Sequence, residues 1–268
     1  MSDNCSPDTI QQYKQEISEW WTKDCKFYDN YPEHGLTKKE EELWQKFLLH
    51  ELGESPKRIL DVGTGTGSIS LILSALGHDV SGVDLSPGML SVCERKAVER
   101  GLSLDLKVGD AEALPYPDNS FDVITSRWVL WTLLQPSVAI QEWKRVLRPG
   151  GRILAFDVKT HDNLNQSVSQ TIKGHISKFL ISVQDGRKLD SYLYKSDINM
   201  ALPLAYNKQD CFNRQVMLFK DANLDDVSAK PVEPLSVMKN EKLNKPWRYR
   251  FAKKGYGDWH CISGMKKQ

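Results

Sequence analysis

Three glycines at alternate positions, Gly63, Gly65 and Gly67, stand between two apolar runs of the chain. The run ending at Val62 reads as a buried strand, and the residues after Gly67, SISLILSAL, are apolar at helical spacing. A strand, a tight turn that side chains would block, and a helix follow from this pattern. Backbone N–H groups and the dipole at the start of that helix favour an anionic group in the turn. A second apolar run, HDVSGVD, ends in Asp84, about 20 residues beyond the first glycines, where an acid can hydrogen-bond a ribose diol. Val108-Gly-Asp110-Ala111-Glu112 then closes a third run with two further carboxylates. The turn reads GTGTG followed by Ser68, so the GxGxxG dehydrogenase fingerprint is not met.

The elements that must position these residues can be read around them. Strands are expected over 58–62, 78–84, 104–108, 121–126 and 152–158, and helices over 68–76 and 136–147. Ser86 and Pro87 read as the cap and first position of a further helix. Pro149-Gly150-Gly151 is expected to stop the helix that begins at Pro136. Short apolar strands alternating with helices imply a parallel sheet covered on both faces. Residues 160–205 break the alternation with many polar side chains, and a helix over 210–222 and strands over 227–231 and 260–266 follow, the final one expected to be antiparallel.

These motifs, in this order, resemble the class I S-adenosylmethionine-dependent methyltransferases. DVGTGTGSIS is similar to their first motif, and Asp84 to the acid that ends their second strand. GDAEALPYPDNSFDVITS is similar to their third and fourth strand motifs, and EWKRVLRPGGRILAFD to their fifth. The nearest subgroup is the small-molecule type that includes ubiquinone/menaquinone methyltransferases, and the resemblance runs from about residue 57 to 157. It implies a Rossmann-like α/β fold: a seven-stranded, mostly parallel sheet flanked by helices. It also implies a single domain with a helical lid over 1–53, a cofactor-binding core over 54–159, a substrate-side insertion over 160–205 after strand five, and the rest of the core over 206–268.

The resemblance further implies S-adenosyl-L-methionine as cofactor. Gly63, Thr64, Gly65, Thr66 and Gly67 would line the turn under its amino-acid end, with Asp61 holding the turn's amides or a water. Asp84 would take the ribose hydroxyls, and Leu85 and Met89 would lie against the adenine. The Asp110 carboxylate would meet the adenine amino group, Ala111 would supply a backbone N–H, and Arg127 would reach the methionine end.

Methyl transfer from a sulfonium is a direct displacement, so alignment and exclusion of water are the main demands. A base is needed only when the nucleophile arrives protonated. Asp157, ending strand five, and His161, just beyond it, are the candidates; a lone His is more often structural. Relatives carry a His near Trp131 that this chain lacks, which argues against a His-based mechanism there. Trp128 and Trp131 sit at the carboxyl end of strand four, where ligands bind in open α/β sheets, and could face the transferring methyl group or a cationic substrate, or equally pack under the lid. Among the aromatics of the first 53 residues, Trp20, Phe27 and Tyr31 read as packing residues, and Trp21 and Tyr28 as contacts to substrate.

The remaining composition bounds the function. The chain has 268 residues, 40% hydrophobic, with a formal net charge of +1. Balanced charge gives no general reason for a nucleic-acid partner. No apolar run is long enough to span a bilayer, and the polar start MSDNCSPDT lacks a signal-peptide core, so the cytoplasm is expected. Five scattered cysteines form no CxxC pair and suggest neither a zinc site nor a disulfide framework. The stretch 239–254 holds seven basic residues and one acidic, interleaved with Trp247, Tyr249 and Phe251. It reads first as a solvated connection, and second as an RNA-binding element. The expectation is therefore a methyltransferase acting on a small-molecule acceptor. The alternatives are an RNA or protein methyltransferase that uses 239–254, or a non-catalytic cofactor-binding protein.

Overall fold

The computed structural model describes residues 6–30, 34–159, 198, 201–204, 210–232 and 258–268. His161, Tyr31, most of 160–205 and the whole of 239–254 lie outside the described residues.

Among the described residues, α1 (Pro7–Tyr28) and α2 (Lys38–Leu52) precede β1 (Arg58–Val62), α3 (Ser70–Ala75), β2 (Asp79–Asp84), α4 (Pro87–Glu99) and β3 (Asp105–Val108). Then come β4 (Phe121–Arg127), α5 (Pro136–Val146), β5 (Leu147–Lys159), α6 (Cys211–Asp221), β6 (Asp225–Pro231) and β7 (Asp258–Met265). The strands form one seven-stranded sheet in the order β3-β2-β1-β4-β5-β7-β6. β1 to β5 run parallel, and β7 is antiparallel to both β5 and β6. The expected architecture and the reversed final strand are therefore present. The order turns outward on either side of β1 and β4, which makes the carboxyl ends of these two strands the switch point where such sheets bind ligands.

Two cores face the sheet. On one side Leu60, Val62, Ile124, Ile153 and Ala155 pack with Ile140, Trp143 and Val146 of α5 and Phe219 of α6. On the other, Ile59, Val123, Leu154 and Phe156 pack with Trp44 and Leu48 of α2 and Ile72 and Leu73 of α3. Trp44 lies edge-on to Phe156 with centroids 4.8 Å apart. α2 is thus a core helix, fixed at its start by a Thr37–Glu40 capping box. The 1–53 segment divides: α2 supports the sheet, and α1 alone crosses its carboxyl edge.

Several boundaries differ from expectation. The helix after the glycines begins at Ser70, not Ser68: Gly67 is still in the left-handed region at φ +87°, and the chain stays in turns up to Ile69. The helix from Pro136 ends at Val146, before Pro149-Gly150-Gly151: Leu147 is already extended at ψ 139°. Arg148 precedes proline, a position that disfavours the helical region. β5 therefore starts at Leu147 against Phe121, and its register shifts before Arg152 meets Val123. Strand four runs one residue further, to Arg127, and Trp128 leaves it with φ +65°. A bulky residue in the left-handed region is held there by its surroundings; the Trp128 N–H donates to the Phe156 carbonyl at 2.8 Å.

Candidate active site

The turn after β1 is built to be approached at one point. Gly63, Gly65 and Gly67 all have positive φ, which favours glycine. A Cβ at Gly63 would stand 2.2 Å from Val129, and one at Gly67 would stand 2.7 Å from Cys93. At Gly65 a Cβ would meet only the Gly63 carbonyl oxygen, at 3.9 Å. Gly63 and Gly67 are glycines for packing, whereas Gly65 leaves room beside bare backbone.

Two buried carboxylates brace this turn. Asp61 accepts the Thr125 hydroxyl at 2.8 Å, and the Thr64 hydroxyl and the Ser70 N–H also bond it. The anionic group at the start of α3 is thus supplied by the chain itself. Asp84 accepts the Gly65 N–H at 2.9 Å and the Ser86 N–H at 2.8 Å, joining the turns after β1 and β2. Burial pushes each of these carboxyls up to about 6. Each carboxylate oxygen still has acceptor capacity beyond its amide bond.

α1 lies across the residues that follow β1, β2, β3 and β4. Its Lys14 ammonium is 2.6 Å from Asp110 and 2.6 Å from Glu112. Its Ser18 hydroxyl donates to the Leu85 carbonyl at 2.7 Å, and its Thr22 hydroxyl is 2.8 Å from that of Ser86. Just past its end, Asp29 accepts the Thr66 hydroxyl at 2.7 Å and pairs with Lys96 at 2.9 Å. Met89 is buried against Cys25, Trp21 and Tyr28, and Leu85 packs with the cluster around Trp128 and Trp131.

An aromatic wall continues inward from α1. Trp21 lies edge-on to Tyr28, Tyr28 stacks on His34 at 4.1 Å, and His34 meets Trp128 edge-on at 4.9 Å. Trp128 in turn meets Trp259 of β7 at 5.7 Å. Trp131 is buried beside Trp128, Ile17, Val158, Ile198 and Leu202. Arg127 is buried, donates to the His34 carbonyl at 3.3 Å and lies over the Trp259 ring at 4.8 Å. Burial pushes its guanidinium below its ordinary value, and Tyr28, Glu40 and Asp29 oppose that effect. Burial likewise raises the Tyr28 phenol well above its usual range.

The sequence-named residues thus fall into distinct places. Gly63 to Gly67, Asp61 and Asp84 meet at one turn, and Trp21, Tyr28, Trp128, Trp131 and Arg127 meet under α1. Asp110 accepts the Glu112 N–H at 2.8 Å in addition to Lys14, and the Ala111 carbonyl accepts the Trp143 indole N–H at 3.0 Å. Asp157 points to the α6 side of the sheet, where it accepts from Gln215 at 2.9 Å and from the Val158 N–H at 2.8 Å. Glu112 belongs to the motif after β3, whereas Lys14, Asp29, His34 and Trp259 join the same region from positions isolated in sequence from the motifs.

Residues 60–155 match the family described as "Methyltransferase domain". Over 108 residues the chain is 43% identical to a demethylmenaquinone methyltransferase of Thermus thermophilus, covering 40% of this chain and 49% of that protein. Over 162 residues it is 30% identical to a ubiquinone/menaquinone biosynthesis C-methyltransferase of Cellvibrio japonicus, covering 58% of this chain and 65% of the relative. The chain thus spans about half the length of the first of these relatives. The fold is shared with a SAM-dependent methyltransferase of Aquifex aeolicus, at TM-score 0.54 and 17% identity over 91% of this chain and 97% of that one. It is shared equally with the [4+2]-cyclase SpnF, at TM-score 0.54 and 19% identity over 85% and 81% of the two chains. Two differently named reactions on one fold mean that the fold does not choose the chemistry. The residue-level likeness is confined to 60–155, where this chain matches the methyltransferase-domain family and is similar to the demethylmenaquinone methyltransferase.

Proposed function

We propose that this chain transfers a methyl group from S-adenosylmethionine to a small-molecule acceptor enclosed beneath α1, and that the acceptor carries a flat, largely apolar ring. The observation that carries this reading is the run of rings Trp21, Tyr28, His34, Trp128 and Trp259 under a helix that crosses the carboxyl edge of the sheet beside Gly65. Such a wall suits a planar apolar partner. The relatives named for demethylmenaquinone and for ubiquinone/menaquinone support a ring acceptor.

The bound cofactor would supply an electrophilic methyl on a sulfonium. Gly63, Thr64, Gly65, Thr66 and Gly67 would hold its amino-acid end against bare backbone, with Asp61 keeping the turn fixed. Asp84 would accept from the ribose hydroxyls, Leu85 and Met89 would flank the adenine, and Asp110 and the Ala111 N–H would meet its polar edge. Arg127 would set the positive potential beside the methionine end. Trp128, Trp131, Trp21 and Tyr28 would hold the acceptor in line with the methyl and exclude water, the main contributions such a displacement needs. Of the two candidate bases, Asp157 accepts from Gln215 and the Val158 N–H, and His161 lies outside the described residues; either would be needed only for an acceptor that arrives protonated. We take the cytoplasm as the compartment; no helix among the described residues is long and apolar enough to cross a membrane.

The test is incubation with methyl-labelled cofactor and a metabolite extract, followed by mass spectrometry. Label appearing in a small ring compound supports the reading. Label in RNA or protein would favour a role for 239–254. Tight binding of the demethylated product without turnover on any extract would favour a non-catalytic binding protein.

A further inference from the structure

We propose that Lys14 is a positioning residue: it fastens α1 over the adenine end of the cofactor site by bridging the carboxylates of Asp110 and Glu112. The proposal rests on the cofactor reading above and adds to it a residue outside the motifs that define the domain.

Lys14 lies on α1, and its ammonium is 2.6 Å from one oxygen of Asp110 and 2.6 Å from one oxygen of Glu112. Both acids follow β3, on the loop assigned to the adenine. Glu112 is buried, and its other oxygen accepts the Gln135 N–H at 2.7 Å, which ties this loop to the start of α5. The second oxygen of Asp110 accepts the Glu112 N–H at 2.8 Å. One cation therefore bridges two acids held in a fixed arrangement. The Lys14 ammonium is held above its ordinary value by Asp110 and Glu112 in spite of the burial that opposes it, so it stays charged.

A carboxylate oxygen can accept more than one hydrogen bond, and an ammonium has three donors. The adenine amino group would then share Asp110 with Lys14 without displacing it. Cover and cofactor meet on the same carboxylate, so closing α1 and binding cofactor are coupled free energies. The opposite end of the cover is held by different chemistry, the acid Asp29 against Thr66 and Lys96. Removing Lys14 should release one end of α1 and leave the other attached.

The experiment uses the full chain, with S-adenosylhomocysteine as the probe in calorimetry. Lys14→Met should bind about tenfold more weakly, a loss near 1.4 kcal/mol by the standard conversion. Lys14→Arg should recover most of the affinity. Amide exchange over 7–20 should quicken in Lys14→Met, with exchange in β1 and β4 unchanged. A purely structural role, in which Lys14 only neutralises a buried Glu112, is separated by the double variant Lys14→Met/Glu112→Gln, which leaves position 112 neutral and only the part-exposed Asp110 charged. The double variant should remain weak, because the bridge is still missing. Affinity of Lys14→Met within about twofold of the parent, or full recovery in the double variant, would overturn the proposal. If the parent chain itself binds no S-adenosylhomocysteine, the cofactor reading fails, and this proposal with it. That outcome is distinct, since every variant would then be blank.

Discussion

The Gly65 amide donates to the Asp84 carboxylate at 2.9 Å, so the first glycine turn and the acid that ends the second strand are one structural unit. The same carboxylate takes the Ser86 N–H at 2.8 Å. Asp84 is thus both a brace for the site and the group assigned to the ribose. Asp84→Ala should lower S-adenosylhomocysteine affinity strongly, by tenfold or more on the order of one lost charged hydrogen bond. It should also lower stability by about 1–3 kcal/mol, because two turn amides lose their acceptor. Calorimetry and thermal melting measure the two effects separately. Unchanged affinity in a folded Asp84→Ala protein contradicts the ribose assignment.

Acidity should act on this group in two opposite ways. Burial raises the Asp84 carboxyl from 3.8 to about 6, and Asp61 likewise. A carboxyl raised on folding binds more protons in the folded chain. Its contribution is present in full below the unfolded value and is lost as pH rises through about 6. The ligand-free protein should therefore gain stability from these two groups on going from about pH 7 to about pH 5, measured by chemical denaturation. Binding has the reverse sign. Ribose hydroxyls donate best to an ionised acceptor, so product affinity should fall as pH drops through about 6. Asp84→Asn should flatten that fall. A titration series with no change across this range speaks against the assignment.

Gly65→Ala and Gly67→Ala should separate binding from folding. At Gly67 the new methyl would stand 2.7 Å from Cys93 and 3.0 Å from Leu71, and the backbone sits at φ +87°. That variant should be strongly destabilised in melting experiments. At Gly65 the methyl meets only the Gly63 carbonyl oxygen, at an ordinary 3.9 Å, and the cost is the left-handed conformation alone, about 1–2 kcal/mol. That variant should fold and yet lose cofactor product, because the methyl fills the room beside the backbone. Normal binding by Gly65→Ala would show that the cofactor does not lie against this turn.

Deletion of residues 1–35 should abolish turnover while the sheet still folds. α1 contributes to the clusters around Trp131 and Met89 and to neither of the two cores that face the sheet. In the full chain, amide exchange over 11–28 should slow when S-adenosylhomocysteine binds, since enclosure requires opening for exchange. A truncated protein that methylates as fast as the parent would return Trp21 and Tyr28 to a packing role.

Much of the cofactor half of the site was legible in the chain because its signals are local. Alternate glycines can only be a turn between an apolar strand and an apolar helix, and Ser86-Pro87 announces a helix start; its hydroxyl does accept the Met89 N–H, at 3.1 Å. The spacing from Gly63 to Asp84 and on to Asp110 reflects strand and helix lengths, which the period of apolar residues sets. Only the tertiary structure decided what covers and closes this turn. Lys14 meets Asp110, His34 meets Tyr28 and Trp128, and Arg127 meets Trp259 because α1 crosses four strand ends and β7 inserts beside β5. The same holds for α2, whose Trp44 packs under the sheet when its position in the chain suggested a lid. The physical reason is that periodicity shows which face of a helix is apolar, while the surface that face meets depends on the path of the chain between elements. Contacts between α1 and the loop after β3, some 96 residues apart, carry no pattern that a local reading can detect.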